Sequence, residues 1–116
     1  MPTVVLSTNV ASDKVTDHDL AKDLSRTTSQ ILGKPESYVM VHVLSSQTMI
    51  FGGSSDPCAF VRLVSIGALS PETNASLSSD IAALVASKYS VPANRLYVEF
   101  VDVKERFMFG WNGGTF

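Results

Sequence analysis

Cysteine, basic clusters and long apolar runs are all scarce in this chain. Cys58 is the only cysteine, so no internal disulfide can form. The position that would complete a CxxC redox pair is Val61, which excludes dithiol chemistry. Cys58 then reads as a small, partly buried apolar residue. Lys and Arg total 9 against 11 Asp and Glu, giving a net charge of −2. Nothing concentrates the positive charge, which argues against a nucleic-acid surface. No apolar run approaches the ~18 residues of a membrane span. The first ten residues lack the basic start and long apolar stretch of a signal peptide. The expectation is synthesis in the cytosol; action outside a cell would require an export route without a signal peptide. His18 and His42 show no metal-ligand spacing and read as structural.

What the chain does have is an ordinary globular composition, 45% hydrophobic and 17% charged over 116 residues. That fits one domain, residues 1–116, around one core. Residues 2–8 open with a β-branched run, read as a strand. Thr16 or Asp17 is the expected cap of a helix whose apolar face is Leu20, Leu24, Ile31 and Leu32, with Ala21 and Thr28 filling in. Gly33 ends it and Pro35 blocks its continuation. Tyr38–Leu44 reads as a strand buried on both faces. A short strand over 49–51 leads into a turn, and 58–66 form a third long strand. Ser70 caps a second helix with Pro71 at its first position and Leu77, Ile81, Leu84 and Val85 as its buried stripe. Residues 96–101 are a fourth long strand, and 107–111 a short final one.

The two halves share this pattern at a shift of 57 positions, from Pro35 to Pro92, with little residue identity. Two βαβ units predict an α+β fold: a four-stranded mixed sheet carrying two helices on one face. The strands are too apolar for the opposite face to meet water, so self-association is expected.

Met1-Pro2 carries the first chemical signal. Aminopeptidases remove Met1 before a small residue, which would leave a secondary amine confined in the Pro2 ring. Such an amine is a compact base if its pKa is drawn toward neutrality. Further along stand Thr8-Asn9-Val10, Gly33-Lys34-Pro35 with Tyr38, and Phe51 to Ala59 (FGGSSDPCA). Ser65-Ile66-Gly67, Arg95-Leu96-Tyr97 and the ending Gly110-Trp111-Asn112 with Thr115-Phe116 follow in order. Together these collinear segments resemble the macrophage migration inhibitory factor family of the tautomerase superfamily, over essentially the whole chain.

The resemblance implies a homotrimer whose sheets surround a central channel, with an active site at each subunit interface. It implies keto–enol tautomerisation of phenylpyruvate-type α-keto acids and of dopachrome, with no cofactor and no metal. Several members act as secreted cytokines or mimic a host cytokine, which would add a cell-surface receptor to the partners. In the family pattern Pro2 is the general base and Lys34 the cation that lowers its pKa or binds the substrate carboxylate. The bland alternative for Lys34 is a solvated charge favoured by a helix C-terminus. Ile66 matches a position whose backbone amide binds substrate. Tyr38, Phe109, Trp111 and Phe116 match the aromatic rim of the pocket, where ordinary core packing is the alternative. Tyr97 matches a tyrosine contributed by the neighbouring subunit; Thr3 and Ser65 are weaker candidates. Glu99 stands where the best-known vertebrate members have asparagine. Ionised near the site, it would raise the pKa of Pro2 and repel a keto acid unless paired with Lys34 or Arg95. Lys104-Glu105-Arg106-Phe107 is more charged and slightly longer than in those members, which would narrow or repolarise the pocket mouth. Two readings compete with the tautomerase: a signalling protein of the same fold with vestigial catalysis, and a D-dopachrome-type enzyme. The GWN…TF ending disfavours the second. Asn74-Ala75-Ser76, a glycosylation sequon, reads as the exposed first turn of the second helix.

Overall fold

The computed structural model describes residues 1–116. Strand β1 (Thr3–Thr8) leads through helix α1 (Lys14–Leu32) to β2 (Met40–Leu44). Strand β3 (Ala59–Ser65) leads through helix α2 (Pro71–Tyr89) to β4 (Leu96–Asp102). The sheet order is β2-β1-β3-β4. Within each half the strands are parallel, and the two halves join through antiparallel β1 and β3. The expected pair of βαβ units and the four-stranded mixed sheet are therefore present.

Alternation along the strands decides where the helices lie. Val4 and Leu6 of β1 and Val61 and Leu63 of β3 are fully buried. They meet Leu20 and Leu24 of α1 and Leu77, Ile81 and Val85 of α2 in one cluster. Both helices thus cover the same sheet face. The other face carries the in-register rows Met40–Thr3–Val64–Val101, His42–Val5–Arg62–Glu99 and Leu44–Ser7–Phe60–Tyr97. No helix covers it: Met40 is 64% exposed and Tyr97 67%.

Helix α1 begins earlier than the sequence suggests. Asp13 is the cap, in extended backbone, and its carboxylate accepts from the Thr16 N–H at 2.7 Å. Asp17, one of the expected caps, sits inside the first turn instead. Its carboxylate accepts from Ser45 Oγ at 2.6 Å and from the Tyr89 hydroxyl, tying α1 to the end of α2. Burial pushes the Asp17 carboxyl up, but hydrogen bonds from Ser45, Tyr89 and Ser12 prevail and hold it below its ordinary value. Gly33 ends α1 in the left-handed conformation, φ 65°. In α2, Ser70 and Thr73 form a reciprocal capping box with Pro71 at the first turn, as the sequence indicates. Tyr89 extends the buried stripe of Leu77, Ile81 and Val85, while Leu84 is only partly buried.

Four expected strand features are corrected. Tyr38 belongs to a 3₁₀ turn, Glu36–Tyr38, started by Pro35, and β2 begins only at Met40. The twin turn Ala93–Arg95 follows Pro92 in the second half. Strand β2 is not buried on both faces, because it is a sheet edge whose outer side chains sit on the uncovered face. Residues 49–51 form no strand. Phe51 and Ser54 make an isolated bridge, and Arg95 holds the loop by donating to the carbonyls of Phe51, Ser54, Asp56 and Pro57. Residues 107–111 are likewise not a strand. A 3₁₀ turn, Arg106–Met108, curls the chain away from β4 and leaves it no ladder partner.

Candidate active site

The start of β1, the end of α1, the segment after β3 and the C-terminal residues converge at one end of the sheet. Pro2 is buried there, and its carbonyl accepts from the Met40 N–H at 3.0 Å. That bond pins the chain start between β1 and β2. Two adjoining cavities open at the chain start. One, about 300 Å³, is lined by Lys34, Tyr38, Ile66, Arg106 and Phe116. The second, about 430 Å³, is walled by Tyr38, Met40, Phe109, Trp111 and Phe116. Met1, Tyr38 and Phe116 are shared between them, so Met1 sits at the junction, and Pro2, next in the chain, is buried and lines neither.

Local structure explains how Lys34 arrives. The left-handed turn at Gly33 redirects the chain, and the Lys34 N–H donates back to the Ser29 carbonyl at 3.1 Å. Ser29 Oγ donates to the Lys34 carbonyl at 2.5 Å, fixing the residue from both sides. Its ammonium donates to the Ile66 carbonyl at 2.9 Å. Ile66 is steadied in turn by Ser65 Oγ, which donates to the Gly67 carbonyl at 2.8 Å.

The terminal amine, here that of Met1, has its pKa drawn below the ordinary α-amino value of ~8. Burial is the main cause, followed by the Lys34 charge and a hydrogen bond with Lys34. Both favour the free base, because desolvation and a neighbouring cation each penalise the protonated form. No Asp or Glu side chain lines either cavity. The chain's two ion pairs, Arg26 with Asp23 and Arg62 with Glu99, lie elsewhere, so neither Lys34 nor Arg106 is tied up in an ion pair.

Of the residues singled out in the sequence, Lys34, Tyr38, Ile66, Phe109, Trp111 and Phe116 come together around the start of the chain. Tyr97 and Glu99 do not. Tyr97 opposes Phe60, which opposes Ser7, five residues along β1 from Pro2, or roughly 16 Å of strand. Its ring packs on Phe51 at 4.9 Å, beside a separate cavity that also takes in Ile50, Phe60 and Cys58. Glu99 pairs with Arg62 at 3.2 Å rather than with Lys34 or Arg95, because Arg62 is its cross-strand neighbour in register. Arg95 is committed to the 51–57 carbonyls. Glu99 has no part in setting the terminal amine's pKa within the chain. Ser37, Val39 and Met40 line the second cavity without having been singled out in the sequence, Met40 because it looked like core. Arg106 belongs to the charged stretch expected at the pocket mouth, but had no role of its own there.

Seven-tenths of Trp111 is exposed, and its neighbour Gly110 adopts φ +144°. A Cβ at Gly110 would lie 1.7 Å from the Phe116 ring. Glycine there is what lets Phe116 fold back and serve both cavities.

A partly desolvated amine, an adjacent ammonium and an aromatic wall can bind a small aromatic anion and move a proton. Comparison with known proteins identifies a family. A family model described as macrophage migration inhibitory factor (MIF) matches residues 1–116. A macrophage migration inhibitory factor homolog of Brugia malayi is 42% identical over 116 residues, covering 100% of this chain and 99% of the relative. The Xenopus tropicalis macrophage migration inhibitory factor is 39% identical over the same coverage. Among solved structures, that of the Toxoplasma gondii protein superposes with a TM-score of 0.91 at 36% identity, over 98% of this chain and 99% of the other. The Prochlorococcus marinus homologue also gives 0.91, at 32% identity and 98% of each chain.

Proposed function

The chain belongs to the macrophage migration inhibitory factor family, and from that premise we propose that it is a cofactor-free keto–enol tautomerase. Its substrates are phenylpyruvate-type α-keto acids and L-dopachrome, and Pro2, freed by removal of Met1, is the general base. The observation that carries this reading is the chain start at the junction of a cationic and an aromatic cavity, with Lys34 beside its amine in the cationic one.

In the keto-to-enol direction the neutral amine takes a proton from the carbon beside the ketone. The C–H electron pair moves into a new C=C bond, and negative charge develops on the carbonyl oxygen. Lys34 stabilises that charge and disfavours protonation of the amine beforehand. A proton returned to the oxygen completes the enol, so the reaction is a balanced isomerisation. The phenyl ring stacks in the cavity of Phe109, Trp111 and Phe116, which excludes water. Trimeric assembly through the uncovered sheet face would bring a neighbour's Tyr97, and the Arg62–Glu99 pair beside it, toward this site.

Intact mass first establishes that Met1 is absent. Pro2→Gly, and separately a tag fused ahead of Pro2, are then expected to lower kcat/KM for phenylpyruvate by at least 100-fold, the scale of a lost general base. Full activity in either variant would refute the mechanism.

A further inference from the structure

Lys34 already has two neighbours within the chain. Its ammonium is bound to the Ile66 carbonyl at 2.9 Å and adjoins the terminal amine. The same cavity holds a second cation, Arg106, which has neither a hydrogen bond nor an ion pair of its own. Its placement is built in. The 3₁₀ turn Arg106–Met108 closes through Met108 N–H to the Glu105 carbonyl at 3.0 Å and Phe109 N–H to the Arg106 carbonyl at 3.3 Å. One turn therefore sends Arg106 into the cationic cavity and Phe109 into the aromatic one. A guanidinium is a planar fork suited to two parallel bonds with a carboxylate, which a lysine ammonium cannot match.

We infer that Arg106 is the carboxylate-binding residue of this site, leaving Lys34 to act on the amine and the developing enolate. The inference rests on the aryl keto acid reading above. The ligand then spans both cavities: its carboxylate on Arg106, its carbonyl beside Lys34, its ring against Trp111 and Phe109. With no Asp or Glu side chain in either lining, none competes with the ligand's carboxylate for Arg106.

Binding and turnover test this separately. Trp111 is the only tryptophan and lines the aromatic cavity, so its fluorescence reports occupancy. 3-Phenylpropionate and 3-phenylpropionamide differ only in the charged group. Wild type is expected to bind the acid about tenfold more tightly than the amide, and Arg106→Gln to erase most of that difference while leaving the amide's Kd unchanged. Arg106→Lys should restore part of it. In turnover, phenylpyruvate and its methyl ester make the same comparison: Arg106→Gln should raise KM for the acid about tenfold, with kcat and the ester's constants little altered. Equal losses for charged and neutral partners, or an unchanged acid preference, would overturn the assignment. Inactivity of wild type toward both acid and ester would refute the tautomerase reading, while the binding comparison would still decide the role of Arg106.

Discussion

Lys34 stands where α1 ends, close enough to reach both the Ile66 carbonyl and the terminal amine. Its influence on that amine fixes the sign of a pH effect. A cation nearby repels the incoming proton, so the folded amine releases its proton at lower pH than an ordinary one. The same two causes, burial and the Lys34 charge, act on the Pro2 amine once Met1 is removed. Activity that needs the free base should then rise through a midpoint below that of an unperturbed prolyl amine. Lys34→Ala removes the repulsion and the hydrogen bond, and the midpoint of kcat/KM against pH should move upward. Because desolvation is the larger cause, part of the depression should survive. A midpoint that stays put or falls would show that Lys34 does not tune the base. Lys34, Ile66 and the aromatic rim were legible in the sequence because short motifs carry them. Arg106 was not, because its value depends on a 3₁₀ turn that the charged stretch does not announce.

At the level of elements, the C-terminal segment builds much of the site without being a strand. Phe116 is held over both cavities by lying on the bare Cα of Gly110. Gly110→Ala would force a methyl group into the Phe116 ring and strain a backbone at φ +144°. The ring should be displaced, raising KM for phenylpyruvate several-fold. Tm should shift by only a few degrees, because neither residue belongs to the buried core. A circular-dichroism melt beside steady-state kinetics checks both; unchanged KM would remove Phe116 from the site. The helices and four main strands could be read from the sequence because periodicity and caps are local properties. The 3₁₀ turn after Pro35 was misread as the beginning of a strand, since a proline followed by apolar residues looks the same in either case, whereas the strand after Pro92 was read from its true start at Leu96. The start of α1 was misplaced because three acceptor side chains, Asp13, Thr16 and Asp17, crowd its first turn. Only geometry shows that Asp13 caps, while Asp17 reaches across to Ser45 and Tyr89.

For the whole molecule, the uncovered sheet face is the main unresolved surface. Val5, Val64 and Phe60 sit on it among Thr3, Ser7, Arg62 and Glu99, and Phe60 is 39% exposed. The sequence raises the expectation that such a face takes a partner, and the fold leaves it without a helix within one chain. If three copies close around it, Phe60→Glu should break the assembly by placing like charges in an apolar seam. Light scattering is then expected to fall from three chain masses toward one, with helix content retained and phenylpyruvate turnover lost, since Tyr97 no longer meets the neighbouring site. A wild-type mass of one chain would refute the trimer directly.

Met1 lies at the junction of both cavities, next in the chain to the buried Pro2. An untrimmed chain therefore carries a built-in stopper in its own binding site. Under the proposed mechanism, specific activity becomes a count of trimmed termini. Two preparations with identical folds and melting curves could differ severalfold in rate through processing alone. Titrating open sites with an amine-reactive probe would turn that spread into a single turnover number.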